Sequence, residues 1–438
     1  MLSFIKKDKK RKRVIIKFLF IKISLKSEVY KKIIRIFPFN ILFAKSIINE
    51  LAPIIRFLDL IVPKKQNKIV FSMDYNQMAK SAIYYEYLKK NYPDDYEIVI
   101  LLNRENLGTR YKELRYLYNL RGAWDCITSK YVVATNCNGT LKFFKSNRHK
   151  YVFLWHGMPI KRVGLIQCGH HGKAKTSYYN LMSKYAYFFV TSDIFKISMA
   201  CAFKTDYNRV FITGEAITDL IADTSDDKKI KEWFNIDKYS KVVFYAPTWK
   251  MSAKTQKNTQ ISKEFNNIFY LDDFNEESFI RTIEDNNILF IMKPHPMDEF
   301  FYRKHPEVIP SSDNFKIIYN DDLVEKDVRF YTIYKFIDLM ISDYSSAPLD
   351  YLYLNRPVVW INSLAEDYGK HKGMTLEDNF EMLMLGPKVV TYKNLEKEVI
   401  DGLYNDSQRA ERERLLPLIH KYRDFNSCER IYDVMKNL

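Results

Sequence analysis

Several residue types and patterns are scarce in this chain of 438 residues, and each scarcity closes off a class of protein. The five cysteines, at positions 126, 137, 168, 201 and 428, form no CxxC pair, which argues against a disulfide framework or a zinc finger and for a reducing cytoplasm. Twelve glycines and 14 prolines over this length are too few for a collagen-like or low-complexity chain. No run reaches the ~18 apolar residues that a membrane-spanning helix requires. The longest uncharged stretch of the N-terminal region, residues 36–44, has nine residues and contains Pro38. Nor does a short apolar core followed by small residues mark a cleaved signal peptide. GxGxxG, Walker A, GxSxG and HExxH are absent, which argues against dinucleotide oxidoreductases, P-loop enzymes, serine hydrolases and zincins.

What is present begins with charge. Residues 1–65 hold 17 Lys and Arg against four acids (Asp8, Glu28, Glu50 and Asp59), a net of +13 out of +16 for the whole chain. The protein therefore reads as a near-neutral body behind a cationic arm. Ile47, Ile48, Leu51, Ile54, Ile55, Leu58 and Ile61 recur at helical spacing, and Lys17, Lys22, Lys26, Lys31, Lys32 and Arg35 punctuate apolar residues upstream. The pattern predicts amphipathic helices lying on an anionic leaflet, each nearby cation contributing about 1 kcal/mol. Solvated helices packed on the body are the plainer alternative. Nucleic acid is not expected as a partner, because aliphatic stretches interleave the charges and no recognition motif follows.

Beyond Pro63, β-branched and aromatic runs alternate with helical patterns. The first series is 68–73, 96–102, 131–135, 151–155, 187–191 and 209–214, with a helix expected over Ala79 to Lys90. After a polar stretch near residues 223–231 the second series is 241–245, 288–292, 315–319, 338–342, 357–361 and 387–392. Continuous apolar strands separated by helices indicate α/β units with parallel sheets covered on both faces. The expected organisation is a basic segment 1–65, a Rossmann-like domain 66–224 and a second one 225–438, with Met251 to Asn267 as a mobile loop.

In open α/β sheets the chemistry sits beyond the carboxyl ends of strands. Four such ends carry unusual residues. After YVFL comes Trp155-His156-Gly157-Met158-Pro159-Ile160-Lys161-Arg162-Val163-Gly164, with a histidine suited to proton transfer, a glycine permitting close approach and cations for a phosphate. After ILFI comes Met292-Lys293-Pro294-His295-Pro296, where prolines hold Lys293 and His295 on an extended segment. After DLMI, Ser342-Asp343-Tyr344-Ser345-Ser346-Ala347-Pro348 reads as a helix start whose amides suit phosphate. Asp350, one turn on, is placed to receive a ribose or glycerol hydroxyl. After KVVFY, Ala246-Pro247-Thr248-Trp249-Lys250 offers a hydroxyl, an aromatic plate and a cation. Each segment alone has a structural alternative: a buried histidine, a stiff turn, a helix cap, a core tryptophan. Cys168, His170 and His171 lack a fourth ligand and are not read as a metal site. His149, His305, His371 and His420 are read as surface or satisfied residues.

Taken together, the blocks resemble the CDP-glycerol:glycerophosphate glycerophosphotransferases that build teichoic acids and related capsular polymers. The likeness rests on His156-Gly157-Met158-Pro159-Ile160-Lys161 with Gly164, Ala246-Pro247-Thr248-Trp249, Lys293-Pro294-His295-Pro296, Asp343-Tyr344-Ser345-Ser346 with Asp350, and Gly386-Pro387. It covers roughly residues 68–395. The resemblance implies a GT-B fold, two Rossmann-like doubly wound domains facing a cleft, with an N-terminal amphipathic helical membrane-binding segment. It further implies attack of an acceptor hydroxyl on the β-phosphorus of CDP-glycerol with release of CMP, on a lipid-linked or polymeric acceptor, at the cytoplasmic face of the membrane. By the same analogy His156 is the general base and His295 contacts the diphosphate. Ser345 and Ser346 bind phosphate, and Pro247, Thr248, Trp249, Lys293, Pro294 and Asp350 complete the donor site. No cofactor or dedicated metal site is implied, and a homo-oligomer is compatible.

Two departures bear on the donor. The family commonly carries a Pro-Arg-Asn-Asp run after the glycine of the sixth strand, whereas this chain reads Gly214-Glu215-Ala216-Ile217-Thr218-Asp219, and Lys250-Met251 replaces an Arg-Asp pair. The donor thus stays open between CDP-glycerol, CDP-ribitol and other CDP-alditols, with Lys173 or Lys175 as substitute cations. A GT-B glycosyltransferase using a nucleotide sugar is the alternative enzyme, and a noncatalytic membrane-surface scaffold the alternative from another class.

Overall fold

The computed structural model describes residues 4–8, 13–18, 21–26, 51–73, 78–102, 114–116, 120–135, 147–158, 160–166, 173–248, 267–363 and 376–438. At the N-terminus, β1 (Phe4–Asp8), β2 (Arg13–Phe18) and β3 (Ile21–Lys26) form an antiparallel three-stranded sheet. This corrects the helical reading of the upstream arm. The sequence Ile21-Lys22-Ile23-Ser24-Leu25-Lys26 alternates with period two and is rich in β-branched residues, a strand signature that the search for helical spacing overlooked. Residues 27–50, with Lys31, Lys32 and Arg35, lie outside the described residues. The downstream apolar stripe is helical as expected over α1 (Ala52–Ile61), with Pro53 in its first turn.

All twelve predicted strands of the body are present. A seven-stranded sheet has the order β10-β9-β8-β7-β4-β5-β6, formed by β4 (Lys65–Met73), β5 (Glu97–Leu102), β6 (Leu114–Tyr116), β7 (Ser129–Ala134), β8 (Lys150–Phe153), β9 (Ala186–Val190) and β10 (Val210–Ile212). A six-stranded sheet has the order β13-β12-β11-β14-β15-β16, formed by β11 (Lys241–Ala246), β12 (Ile288–Met292), β13 (Phe315–Ile317), β14 (Leu339–Ser342), β15 (Val358–Ile361) and β16 (Lys388–Val389). The described pairings in both are parallel. In each sheet the winding reverses next to its first strand, between β4 and β7 and between β11 and β14. Such a reversal opens a crevice at the carboxyl strand ends. The short edge strand β6 was not predicted.

The helix expected over Ala79 to Lys90 is present as α2 (Met78–Asn91), and the helix start read after DLMI is that of α11 (Ala347–Tyr351); the others are α3 (Leu120–Thr128), α4 (Lys173–Tyr185), α5 (Asp193–Phe203), α6 (Ala216–Asp219), α7 (Asp227–Phe234), α8 (Glu276–Asp285), α9 (Glu299–Lys304), α10 (Asn320–Glu325), α12 (Tyr392–Tyr404), α13 (Arg409–Leu415) and α14 (Ser427–Lys436). By compactness, residues 1–154 with 180–187 form one unit and residues 155–179 with 188–438 a second.

The core of the second unit explains why its strands read as unbroken apolar runs. Every residue of β12, β14 and β15 is buried. Val243, Tyr245, Phe290 and Ile341 of the sheet pack with Phe279 and Ile283 of α8 and Leu395 and Val399 of α12. Helix α8 starts where Asn275 accepts a hydrogen bond from the Ser278 amide at 2.8 Å, with Glu276 and Glu277 in its first turn favouring the dipole. Gly386, at φ +123°, lies so close to β15 that a Cβ there would meet the Val358 carbonyl oxygen at 2.1 Å. The Gly386-Pro387 landmark is thus a packing requirement, and the Pro387 carbonyl accepts from the Trp360 amide.

Candidate active site

The crevice of the six-stranded sheet is built by the ends of β11 and β14. These strands run side by side with Ala246 opposite Ser342, so the residues that follow each emerge together. Asp343, only 2% exposed, grips the chain after β11 with both oxygens: the Thr248 amide donates to Oδ1 at 2.7 Å and the Thr248 hydroxyl to Oδ2 at 2.8 Å. The proton of that hydroxyl is thereby committed, and Thr248 can offer a ligand only an acceptor lone pair. Pro247 is buried beneath it. Trp249 and Lys250 lie outside the described residues, as do residues 251–266 of the expected loop.

Next to β11, β12 delivers Lys293, Pro294 and His295. The Lys293 amide still donates to the Tyr245 carbonyl, which extends the parallel ladder one residue past the strand. Its ammonium lies 3.9 Å from Glu299 and 5.5 Å over the ring of Phe330, and burial lowers its pKa against the opposing charges of Glu299 and Asp322. The amide of Met297 donates to Nδ1 of His295 at 3.2 Å, so Nδ1 is an acceptor and Nε2 carries the proton. Burial, then Lys293, then Lys161 push the His295 pKa down to about 4, with Asp343 opposing. At neutral pH His295 is therefore an uncharged imidazole with an N–H to donate.

Lys161 comes from the segment after β8, and its field at His295 ties that segment electrostatically to the β12 and β14 ends. The turn is shaped by backbone conformation: Trp155 adopts φ +57° and Gly157 φ +122°. The rings of Trp155 and His156 lie 4.1 Å apart, while Met158 and Ile160 are buried and anchor the turn. Gly164, at φ +63°, leaves no room for a Cβ, which would meet the Ala202 carbonyl oxygen at 2.4 Å. Pro159 lies outside the described residues, as do Cys168, His170, His171 and His371.

At the start of α11, the Ser345 hydroxyl accepts from the Ala347 amide at 3.3 Å, and Ser346 makes no capping hydrogen bond. Asp350, read from the sequence as either a cleft-facing or a solvated first-turn acid, is not solvated. It is fully buried, and the Tyr331 hydroxyl donates to its Oδ2 at 2.7 Å. Its carboxylate thus holds Tyr331 in place.

The segment in place of the family's Pro-Arg-Asn-Asp run is structural. Ile217 is buried, and Asp219 caps α14 by accepting from the amides of Ser427 at 2.9 Å and Cys428 at 2.7 Å. Of the remaining histidines, His149 and His420 are buried and hydrogen-bonded, and His305 is exposed beside Glu307. Asp343 is quoted within its block but is assigned no role from the sequence. Its neighbours in the block were singled out, but nothing local marks an aspartate whose partner lies 95 residues away.

The family model described as CDP-Glycerol:Poly(glycerophosphate) glycerophosphotransferase matches residues 54–437. The chain is 23% identical over 417 residues to the teichoic acid glycerol-phosphate primase of Bacillus subtilis (strain 168), covering 91% of this chain and 98% of that protein. It is 26% identical over 385 residues to the teichoic acid ribitol-phosphate polymerase TarL of Staphylococcus aureus (strain NCTC 8325 / PS 47), covering 84% of this chain and 62% of the polymerase. Among solved structures, the H548A form of the wall teichoic acid polymerase TagF superposes with a TM-score of 0.68 at 19% identity, over 94% of this chain and 98% of that one. That likeness shows a TagF-like, GT-B-like α/β fold.

Proposed function

Because the chain belongs to the CDP-glycerol:poly(glycerophosphate) glycerophosphotransferase family, we propose that it moves glycerol phosphate or a related alditol phosphate from a CDP-alditol to a lipid-linked or polymeric acceptor, releasing CMP, in the synthesis of a teichoic-acid-like or capsular polymer. The observation that carries this reading is the gathering of Lys161, Lys293, His295 and Asp343 from three separate segments into one electrostatic neighbourhood. A neutral N–H donor under the influence of two cations suits an anionic diphosphate.

In this reading the cationic field of Lys161 and Lys293 draws the diphosphate in, and Nε2–H of His295 donates to a phosphate oxygen. Arrival of the negative charge raises the His295 pKa and favours its protonated form, so the imidazole can meet the charge that accumulates toward CMP with a positive charge of its own. His156, on the turn after β8, takes the proton from the acceptor hydroxyl as that oxygen attacks the β-phosphorus. The bond from the β-phosphorus to the bridging oxygen breaks, and CMP departs with that oxygen. Ser345, Ser346 and the first amides of α11 hold phosphate oxygens. Thr248, fixed by Asp343, accepts from a donor hydroxyl or amine, with Pro247 buried beside it in sequence. Asp350 contributes through Tyr331, and residues 225–438 act as the donor half. The enzyme works as a peripheral protein at the cytoplasmic membrane face, its basic N-terminal region on anionic lipid.

The test is CMP release with CDP-glycerol, CDP-ribitol and nucleotide sugars offered in parallel to native membranes, with His156→Ala as control. Release from a CDP-alditol that the substitution abolishes supports the reading and identifies the donor. Turnover of a nucleotide sugar alone overturns it in favour of glycosyl transfer.

A further inference from the structure

The ammonium of Lys293 is buried without being saturated. Its side chain is only 9% exposed, yet no hydrogen bond reaches Nζ among the described residues. An ammonium carries three donors and is costly to bury without acceptors. Its opposite charge is Oε1 of Glu299 at 3.9 Å, just beyond hydrogen-bond reach, and it also lies over the Phe330 ring.

Glu299 reaches that position through the local fold and is held there from the far side. It opens α9, six residues past Lys293, and is itself only 13% exposed. The intervening turn closes on His295, whose carbonyl accepts from the Asp298 amide at 2.8 Å and whose Nδ1 accepts from the Met297 amide. The Asn320 amide, at the start of α10, then donates to Oε1 of Glu299 at 3.0 Å. One turn further along α9, Arg303 reaches Asp321 at 3.3 Å and covers the Tyr319 ring at 4.1 Å. The segment after β13 is therefore stitched to α9 at two points, and Glu299 stays in place when the long Lys293 side chain swings toward a ligand.

The charges around the pair are those of α9, α10 and the strand ends. Burial lowers the Lys293 pKa against Glu299 and Asp322, and raises that of Glu299 against Lys293 and Arg303, with Asp321 adding to the rise. Tyr319 feels Glu299, and His295 feels Lys293, Lys161 and Asp343. A carboxylate in direct contact would hold the ammonium back from a phosphate, and its absence would let burial strip the proton. A separation of 3.9 Å does neither.

We propose that Glu299 is a positioning residue for the donor: it keeps Lys293 charged in its buried niche and, standing outside hydrogen-bond reach, leaves the ammonium's three donors to the anionic phosphates. This deepens the functional reading above and rests on it for the role of Lys293.

The test is calorimetric binding of CDP-glycerol, CDP-ribitol, UDP-N-acetylglucosamine and inorganic pyrophosphate to the full chain at pH 6.5 and pH 8.5. The variants are Glu299→Gln, Glu299→Asp, Lys293→Met and the Lys293→Met, Glu299→Gln double substitution, with melting temperatures verifying each fold. Glutamine keeps an oxygen for the Asn320 amide and deletes only the charge. Without that charge burial pulls the Lys293 pKa further down, so the ammonium is lost as pH rises. Relative to the parent at the same pH, Glu299→Gln is expected to bind about tenfold more weakly at pH 8.5 and within about threefold at pH 6.5. Glu299→Asp is expected to restore the pH 8.5 affinity to within about threefold, and Glu299→Gln to change nothing further once Lys293 is methionine. An equal loss at both pH values, no loss at either, or a loss that persists beside Lys293→Met makes Glu299 a packing residue and overturns the proposal, while binding of a CDP-alditol leaves the functional reading standing. If UDP-N-acetylglucosamine binds in place of the CDP-alditols and the pH-dependent loss is seen, that reading falls and the role of Glu299 stands. If the parent binds none of the four, both fall.

Discussion

Two clusters in this molecule use the same three residue types to opposite ends. In the first unit Asp59, His149 and Lys64 are sealed together. The His149 ring faces acceptors on both sides, the Ser129 carbonyl at 2.7 Å and the Asp59 carboxylate at 2.5 Å. Burial would raise the Asp59 pKa, yet the hydrogen bonds and charges of His149 and Lys64 outweigh it and hold the carboxyl below its usual range. In the second unit Asp343 spends its carboxylate on Thr248, and His295 meets an amide donor on one side and the fields of Lys293 and Lys161 beyond. A charge-balanced cluster joins a helix to a sheet. One left with excess positive field at strand ends is what the proposed function assigns to an anion. Residue type does not separate the two; the partner of each atom does.

The largest test of this contrast is Asp59→Ala, which leaves buried cations without their counter-charge. It is expected to cost about 3 kcal/mol of stability in denaturant melts, while CMP release per folded molecule stays at the parent value. The mirror image is His295→Ala. Turnover is expected to fall about 100-fold or more, equivalent to about 2.7 kcal/mol of transition-state stabilisation, with the melting temperature unchanged. If His295→Ala lowered stability and left turnover intact, the two clusters would be alike after all.

Asp343→Asn keeps the side-chain shape but loses one acceptor for Thr248 and the charge facing His295. An approximately tenfold loss in kcat/KM is expected, together with a His295 pKa displaced further down in an NMR titration. A merely structural aspartate would leave that titration unmoved.

The smallest effect is the pH dependence, and its sign follows from the depressed pKa. The unfolded chain takes up a proton at His295 near the ordinary value of 6.5, whereas the folded site resists until about 4. Stability at this site is full above pH 6.5 and is lost as pH falls toward 4, with about 2 kcal/mol gone by pH 5. The Asp59 contribution holds through that window, because its depressed carboxyl protonates below the ordinary 3.8. Melting curves at pH 7 and pH 5 should therefore converge for His295→Gln relative to the parent, and Asp59→Ala should leave the difference in place.

Much of this architecture was legible in the residues. The runs from KIVFSM to PKVVTY became strands because sheets buried on both faces need unbroken apolar stretches. The residues just beyond those strands were candidates because of the winding rule. Local pattern failed in three places. Ile21 to Lys26 alternates with period two and formed a strand where helices were expected. Asp350, for which a solvated position was open, is fully buried against Tyr331. Asp59 read as one acid in a cationic arm and is the buried centre of an ion cluster. In the last two, the deciding neighbour is remote along the chain.

The sequence by itself determined the α/β class and the strand positions, since each depends on composition or periodicity within a few residues, and its motif blocks carried the resemblance to the family. Tertiary structure alone decided that Thr248 is held by Asp343, that Lys161 bears on His295, and that the Asn320 amide fixes Glu299. Those outcomes depend on which strands become neighbours and which faces are already covered, and no local repeat encodes either.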